Sequence, residues 1–132
     1  MAETEKITIN LSVVDLGKID LLVEEGFYTN RTDCIRSAIR RELYTQKEHI
    51  DATITRQHRY LGVIRLNAAD LEKYHERGEM LELSVVGFLK LDDDISADLA
   101  EATIKSVKVT GVFSHSKEVM MRLNDLGRLH NK

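Results

Sequence analysis

Polar and apolar residues alternate near the amino terminus, where the sequence reads KITINL from Lys6 to Leu11. Successive side chains of a β-strand point to opposite faces, so this alternation predicts a half-buried strand whose polar face carries Lys6, Thr8 and Asn10. Lysine can donate hydrogen bonds to guanine, asparagine can pair with adenine, and threonine can serve either role. The spacing therefore places three side chains that can read base edges on one face of the strand.

The predicted strand has no partner within hairpin reach, because the pattern changes to that of a helix directly after Leu11. A lone strand of about six residues leaves its backbone donors and acceptors unpaired. Pairing with the same strand of a second chain, antiparallel across a two-fold axis, satisfies these groups and places Ile7, Ile9 and Leu11 in a shared core. The opposite face then belongs to a two-stranded ribbon of the kind that fits the major groove of B-DNA.

Two amphipathic helices are predicted after the strand. The first covers residues 13–25, with Ser12 as a plausible N-cap and Gly26 at its end. The second begins after Asn30, with Asp33 three residues further on in a capping-box-like spacing, and nothing in the sequence breaks it before position 59.

The start of the second helix is a candidate phosphate site. Its free N–H groups and the positive end of the helix dipole attract anions, so Asn30, Arg31 and Thr32 are predicted to hold the DNA backbone. The formal net charge of the chain is −3, which by itself argues weakly against a nucleic-acid partner. The local charge is more favourable, because four arginines stand close together against one acid: Arg31, Arg36, Arg40 and Arg41.

The composition is that of an ordinary folded protein, with 132 residues, 42% hydrophobic and 31% charged. No run approaches the roughly 20 apolar residues of a membrane span, and the acidic start lacks the apolar region of a secretion signal. The one cysteine, Cys34, excludes an internal disulfide and a site with several thiolate ligands. These features predict a cytoplasmic protein without a membrane partner.

Strands and helices alternate in the second half of the sequence. Three strands are predicted, each followed by a helix, over residues 60–66, 79–91 and 106–113. The segments LSVVGFL and VKVTGVF, from the second and third strands, share a glycine at their fifth place. This β-α-β-α-β-α order predicts a small α/β domain over residues 60–132, separated from residues 1–48 by a helical extension or linker at 49–59.

Residues 6–43, KITINLSVVDLGKIDLLVEEGFYTNRTDCIRSAIRREL, resemble the ribbon-helix-helix (MetJ/Arc/CopG-type) domain of bacterial and archaeal repressors. The matching features are the alternating strand, the IDLLVEEG ending of the first helix and the NRTD opening of the second. The resemblance implies an intertwined dimer of β-α-α chains that reads bases with its ribbon and holds phosphates at the second helix. With the second domain, the expected fold class is α+β.

These patterns predict a sequence-specific DNA-binding regulator, a repressor by resemblance, bound as a homodimer to a palindromic operator in double-stranded DNA. The second domain is expected to serve oligomerisation or effector binding, and two dimers joined through it would form a tetramer. Two alternatives stay open. One is an antitoxin that autoregulates its operon; the other is a dimerisation module that does not bind DNA.

The histidines do not form a recognisable metal motif. No two of them stand two or four residues apart, at His49, His58, His75, His115 and His130. The two-domain layout resembles that of nickel-responsive repressors, yet without paired histidines no metal and no other cofactor is predicted. There is also no phosphate loop, no G-x-S-x-G and no H-E-x-x-H sequence, so no catalytic residue and no enzymatic activity are predicted.

Overall fold

The computed structural model describes residues 3–130, which form two compact units. We call Lys6–Thr53 the N-terminal unit, and residues 54–130 together with residues 3–5 the C-terminal unit. The described residues form six helices and one three-stranded sheet, a mixture that confirms the predicted α+β class.

The helices of the first half lie where the sequence pattern predicts them, at Val13–Glu24 (α1), Arg31–Thr45 (α2) and Lys47–Arg56 (α3). The Ser12 hydroxyl caps α1 by accepting the N–H of Asp15 at 3.0 Å, as predicted. Helices α2 and α3 are separated only by Gln46, whose N–H donates to the carbonyl of Glu42 at 3.1 Å. The second predicted helix therefore continues to Arg56 with one short interruption.

The predicted strand over Lys6–Leu11 is not observed in the single chain. Residues 3–12 have no regular secondary structure, and no described residue pairs with them as a neighbouring strand. A β-strand needs a hydrogen-bonded partner, and none exists within residues 3–130 for this segment.

Strands and helices alternate in the C-terminal unit, over Tyr60–Leu66 (β1), Ala68–Glu76 (α4), Leu81–Leu91 (β2), Ala97–Thr103 (α5), Ile104–Ser114 (β3) and Lys117–Asp125 (α6). The strands are parallel and lie in the order β1-β2-β3. Right-handed crossovers between neighbouring parallel strands place the connecting helices on the same side of the sheet. Helix α5 accordingly packs between α4 and α6.

The hydrophobic core lies between that helical layer and the sheet. Alternate residues of β2 point into it, and each helix contributes buried side chains, such as Leu71 from α4 and Leu123 from α6. The free edge of β3 is partly covered by the C-terminal segment, because Val107 donates to the carbonyl of Arg128 and accepts from the N–H of His130, both at 2.8 Å. A covered edge offers fewer unpaired backbone groups to other chains.

Candidate nucleic-acid interface

All three predicted base-reading side chains, those of Lys6, Thr8 and Asn10, are exposed in the single chain. The apolar residues between them are exposed as well, with Ile7 at 71% and Ile9 at 53% of their full accessibility. Large aliphatic side chains gain about 1.5–3 kcal/mol each when they are removed from water. The polar side chains of this segment are therefore available to bind a ligand, and its apolar side chains remain exposed to solvent.

The N-terminal unit as a whole has almost no core of its own. None of the residues of α1 is buried, and α2 buries only Cys34, at 7% exposure. Leu21 and Leu43 remain more than half exposed. A unit of about forty to fifty residues that buries so little apolar surface has little hydrophobic stabilisation of its own.

The start of α2 is capped by Asn30, as predicted. The Asn30 side-chain oxygen accepts the N–H of Asp33 at 2.8 Å, and its backbone carbonyl accepts the N–H of Cys34 at 3.2 Å. Those bonds leave the backbone N–H groups of Arg31 and Thr32 without an acceptor among residues 3–130. Two adjacent N–H groups at a helix N-terminus are suited to an anionic oxygen.

Asn30 and Asp33 form only one half of a capping box. The Asp33 carboxylate accepts hydrogen bonds from the N–H of Thr29 at 3.0 Å and from its hydroxyl at 3.2 Å, rather than from the N–H of Asn30. The loop before α2 is thereby tied to the first turn of that helix. The same carboxylate adds a negative charge close to the predicted phosphate site.

The Arg31 guanidinium is paired with a residue of α1 that sequence reasoning did not single out. Its Nε and Nη2 donate to the two carboxylate oxygens of Asp20 at 2.7 and 2.8 Å. These hydrogen bonds lower the pKa of Asp20 and raise the pKa of Arg31. The two residues stand eleven positions apart across a loop, so no helical spacing could have indicated the pair.

Three further cations lie along α2. Arg36, Arg40 and Arg41 are exposed, and none of them forms an ion pair with a described residue. Arg36 and Arg40 are four residues apart and therefore share one face of the helix. Their charge is free to act on an approaching polyanion.

No group of three or more metal-binding side chains occurs among residues 3–130. Over the same residues, no helix has both the length and the apolar character needed to cross a bilayer.

A family model described as the Ribbon-Helix-Helix transcriptional regulator family matches residues 2–120. The match extends over α1, α2 and the three strands of the C-terminal unit, and so reaches far beyond the segment that carries the resemblance in the sequence. No curated protein and no solved structure matches the chain. Regulators of this family typically bind DNA and form dimers, and they are generally non-enzymatic. The matched region covers most of the sequence, and the chain therefore belongs to the Ribbon-Helix-Helix transcriptional regulator family.

Proposed function

We propose that two copies of this chain pair their Lys6–Leu11 segments into an antiparallel ribbon, which enters the major groove of a palindromic operator and represses transcription. The observation that carries the proposal is the exposure of apolar residues in the N-terminal unit, where Cys34 is the one buried hydrophobic residue among those described. A second copy would cover Ile7 and Ile9 and would supply hydrogen-bond partners for the backbone of the segment. The alternation would then turn Lys6, Thr8 and Asn10 toward the base edges.

Phosphate contacts complete this proposal. The free N–H groups of Arg31 and Thr32 would bind a phosphate oxygen on each side of the ribbon, assisted by the Thr32 hydroxyl and the Asn30 side-chain amide. Arg31 would add positive charge, although Asp20 neutralises part of it. Such contacts set the register of the ribbon in the groove without reading sequence.

The C-terminal unit supports a regulator in preference to an antitoxin. Antitoxins commonly keep their toxin-binding segment disordered until it is bound, whereas residues 54–130 here have a buried core and a paired sheet. In the proposed division, residues 1–48 bind DNA, residues 49–59 extend the second helix, and residues 60–132 serve oligomerisation or effector binding. Joining two dimers into a tetramer through that last part would allow two half-sites to be bound at once.

Selection of bound fragments from genomic DNA, followed by binding measurements over a salt series, tests the proposal. A palindromic site should be recovered, and its affinity should fall steeply as the salt concentration rises. The triple variant Lys6→Ala, Thr8→Ala, Asn10→Ala should lose the preference for that site and stay dimeric. Lys117→Ala, which removes an exposed lysine of α6, is the control and should leave binding unchanged.

A non-DNA-binding dimerisation module predicts the opposite result. In that case the triple variant would behave like the original chain in every DNA measurement, because the polar face of the ribbon would have no ligand. Recovery of random fragments with no common sequence would likewise contradict specific reading.

A further inference from the structure

The side of the sheet that faces away from the helices is an apolar surface. Its centre consists of Leu61, Val63, Val86, Phe88 and Val112, which we call the open face. Together with Glu3, Thr4 and Glu5, these residues line a cavity of about 320 Å³. Cavities from about 300 Å³ upward, lined mostly by apolar side chains, are the usual size of small-molecule sites.

The open face is unusual for a parallel sheet. Such sheets occur almost only with both faces covered, because their strands are apolar on both sides. Here the helices cover one face, while Leu61 stays 54% exposed and Val63 stays 46% exposed on the other. An occupant of the open face would remove this surface from water.

Cations border the apolar centre on two sides. Arg65 lies directly opposite Lys90 in the register of β1 and β2, two positions beyond Val63 and Phe88. At the other end, the Arg59 guanidinium donates to the hydroxyls of Ser84 at 3.0 Å and Thr110 at 2.8 Å. Side chains two positions apart share a face of a sheet, so both cationic groups flank the open face.

Three carboxylates lie on or beside the open face, those of Glu3, Glu5 and Glu82, and only Glu3 pairs with one of these cations among the described residues. Among residues 3–130, Arg59 and Lys90 form no ion pair, and Arg65 pairs with the Glu3 carboxylate. Glu82, at the start of β2, pairs instead with Lys105 at 3.3 Å. The Glu3–Arg65 pair shows that a carboxylate can reach this edge of the open face.

The charge pattern argues against a second copy as the occupant. Stacking two open faces with their strands parallel would bring the Arg65–Lys90 end of one face over the same end of the other, and like charges facing each other are destabilising. An anion with an apolar body is complementary to both the cations and the apolar centre.

We propose that the open face binds a small apolar carboxylate, with its hydrocarbon or aromatic body on Val63, Val86 and Phe88 and its carboxylate between Arg65 and Lys90. Glu3 occupies the Arg65 position in the unliganded chain. An exposed ion pair of this kind contributes about 0–1 kcal/mol, so a ligand that also buries apolar surface displaces it. This site rests on the proposed role of residues 60–132 in effector binding and gives the effector a chemical class; its test does not involve DNA.

Nuclear magnetic resonance titration of the full chain tests this site with octanoate and 1-naphthoate as probes. At least one probe should bind with a dissociation constant below about 1 mM and should shift the amide signals of Gly62 and Gly87, which line the cavity. Octan-1-ol, which has the apolar body without the charge, should bind at least about tenfold more weakly.

Three variants separate a specific site from general apolar adsorption. Arg65→Gln should weaken carboxylate binding about tenfold, because a charge-assisted hydrogen bond is lost. Glu3→Gln should strengthen binding about twofold to fivefold, because it removes the internal competitor. Arg77→Gln removes a comparably exposed arginine that borders Glu79 instead, and it should change nothing.

Several results would overturn the proposal. The proposal is wrong if neither probe binds at concentrations up to about 1 mM, or if octanoate and octan-1-ol bind equally well. It is also wrong if the shifted signals belong only to residues outside the cavity. Sedimentation offers a further check with Val63→Asp. If that variant keeps its circular dichroism spectrum and loses half of the assembly mass, a second copy covers the open face, and the carboxylate site is wrong.

Discussion

At the start of α2, the Arg31 guanidinium has two possible anionic partners, the Asp20 carboxylate and the proposed DNA phosphate. The two hydrogen bonds to Asp20 hold the guanidinium in place over an exposed surface. They also cancel much of its charge, so the phosphate gains less from Arg31 than from a free arginine. In the proposed complex, Asp20 therefore lowers the affinity of the protein for DNA.

Asp20→Asn should consequently raise affinity for DNA. Loss of one negative charge near the bound phosphate in each chain should raise the affinity for DNA about threefold at low salt. Arg31→Gln should have the opposite effect, and the double variant should resemble Arg31→Gln. Fluorescence anisotropy with an operator duplex, repeated over a salt series, measures all three; equal affinity of Asp20→Asn and the original chain would contradict this role.

The same pair predicts a pH dependence of stability. Hydrogen bonding to Arg31 lowers the pKa of Asp20, so the folded state binds this proton less readily than the unfolded state does. The stabilisation is therefore present above the ordinary carboxyl pKa of about 3.9 and is lost as the pH falls through the lowered value. The difference in unfolding free energy between the original chain and Asp20→Asn should shrink between about pH 5 and pH 2, as measured by urea unfolding at one protein concentration. A difference that stays constant over this range would show that the pair does not stabilise the fold.

At the scale of elements, the three strands of the sheet carry one glycine each in a single row. Gly62 lies opposite Gly87, and Gly87 lies opposite Gly111. All three have φ between +129° and +143°, a conformation that residues with a side chain rarely adopt. The segments LSVVGFL and VKVTGVF pair residue by residue, beginning with Leu83 opposite Val107. The glycine that they share at the fifth place therefore indicates the register of β2 and β3.

Backbone contact across the row leaves no room for a side chain. A Cβ atom at Gly87 would lie 2.2 Å from the carbonyl oxygen of Gly62, and at Gly111 it would lie 2.1 Å from that of Gly87. A side chain at either position would therefore overlap the backbone of the neighbouring strand.

Gly87→Ala should therefore destabilise the C-terminal unit by at least about 2 kcal/mol, through backbone strain and overlap with Gly62. Gly127→Ala is the matched control, because Gly127 also has a positive φ, +69°, yet nothing lies within 4 Å of an added Cβ. The control should lose only the strain cost of about 1 kcal/mol. Urea unfolding compares the two variants, and equal losses would show that the close approach across the row is not what requires glycine.

At the scale of the whole molecule, the two units differ in their dependence on a partner. The C-terminal unit encloses eleven buried hydrophobic residues in one cluster, whereas the N-terminal unit buries Cys34 alone among those described. Burial of apolar surface is the main favourable contribution to folding. The N-terminal unit should therefore be folded only in an oligomer.

The melting temperature of the N-terminal unit should accordingly rise with protein concentration in the full chain, because association stabilises the folded state by mass action. Ile9→Ala should lower the stability of the dimer by about 2–5 kcal/mol, the usual cost of truncating a large buried side chain. Thr8→Ala, on the other face of the same segment, is the control and should keep the concentration dependence while losing operator affinity. Circular dichroism melts at several concentrations, together with sedimentation, decide the matter. A monomer with concentration-independent melting would contradict the shared core.

Local pattern was enough to predict most elements of this chain. The period of apolar residues predicted α1, α2 and the three strands of the sheet to within a few residues, and the N-caps Ser12 and Asn30 lie where capping preferences place them. Helices, strands and caps depend on residues only a few positions apart, so they can be predicted from the sequence alone. The family match confirms the resemblance that the first half of the sequence carries.

Tertiary structure alone decided which distant residues meet. The Asp20–Arg31 pair, the pairing of Glu3 with Arg65 and the row of glycines all join positions that no helical or strand period relates. The apolar side of the sheet also could not be anticipated, because a strand with apolar residues on both faces looks the same in sequence whether one face or both are covered. Periodicity specifies the direction of a side chain within its element, whereas its neighbours depend on how the elements pack.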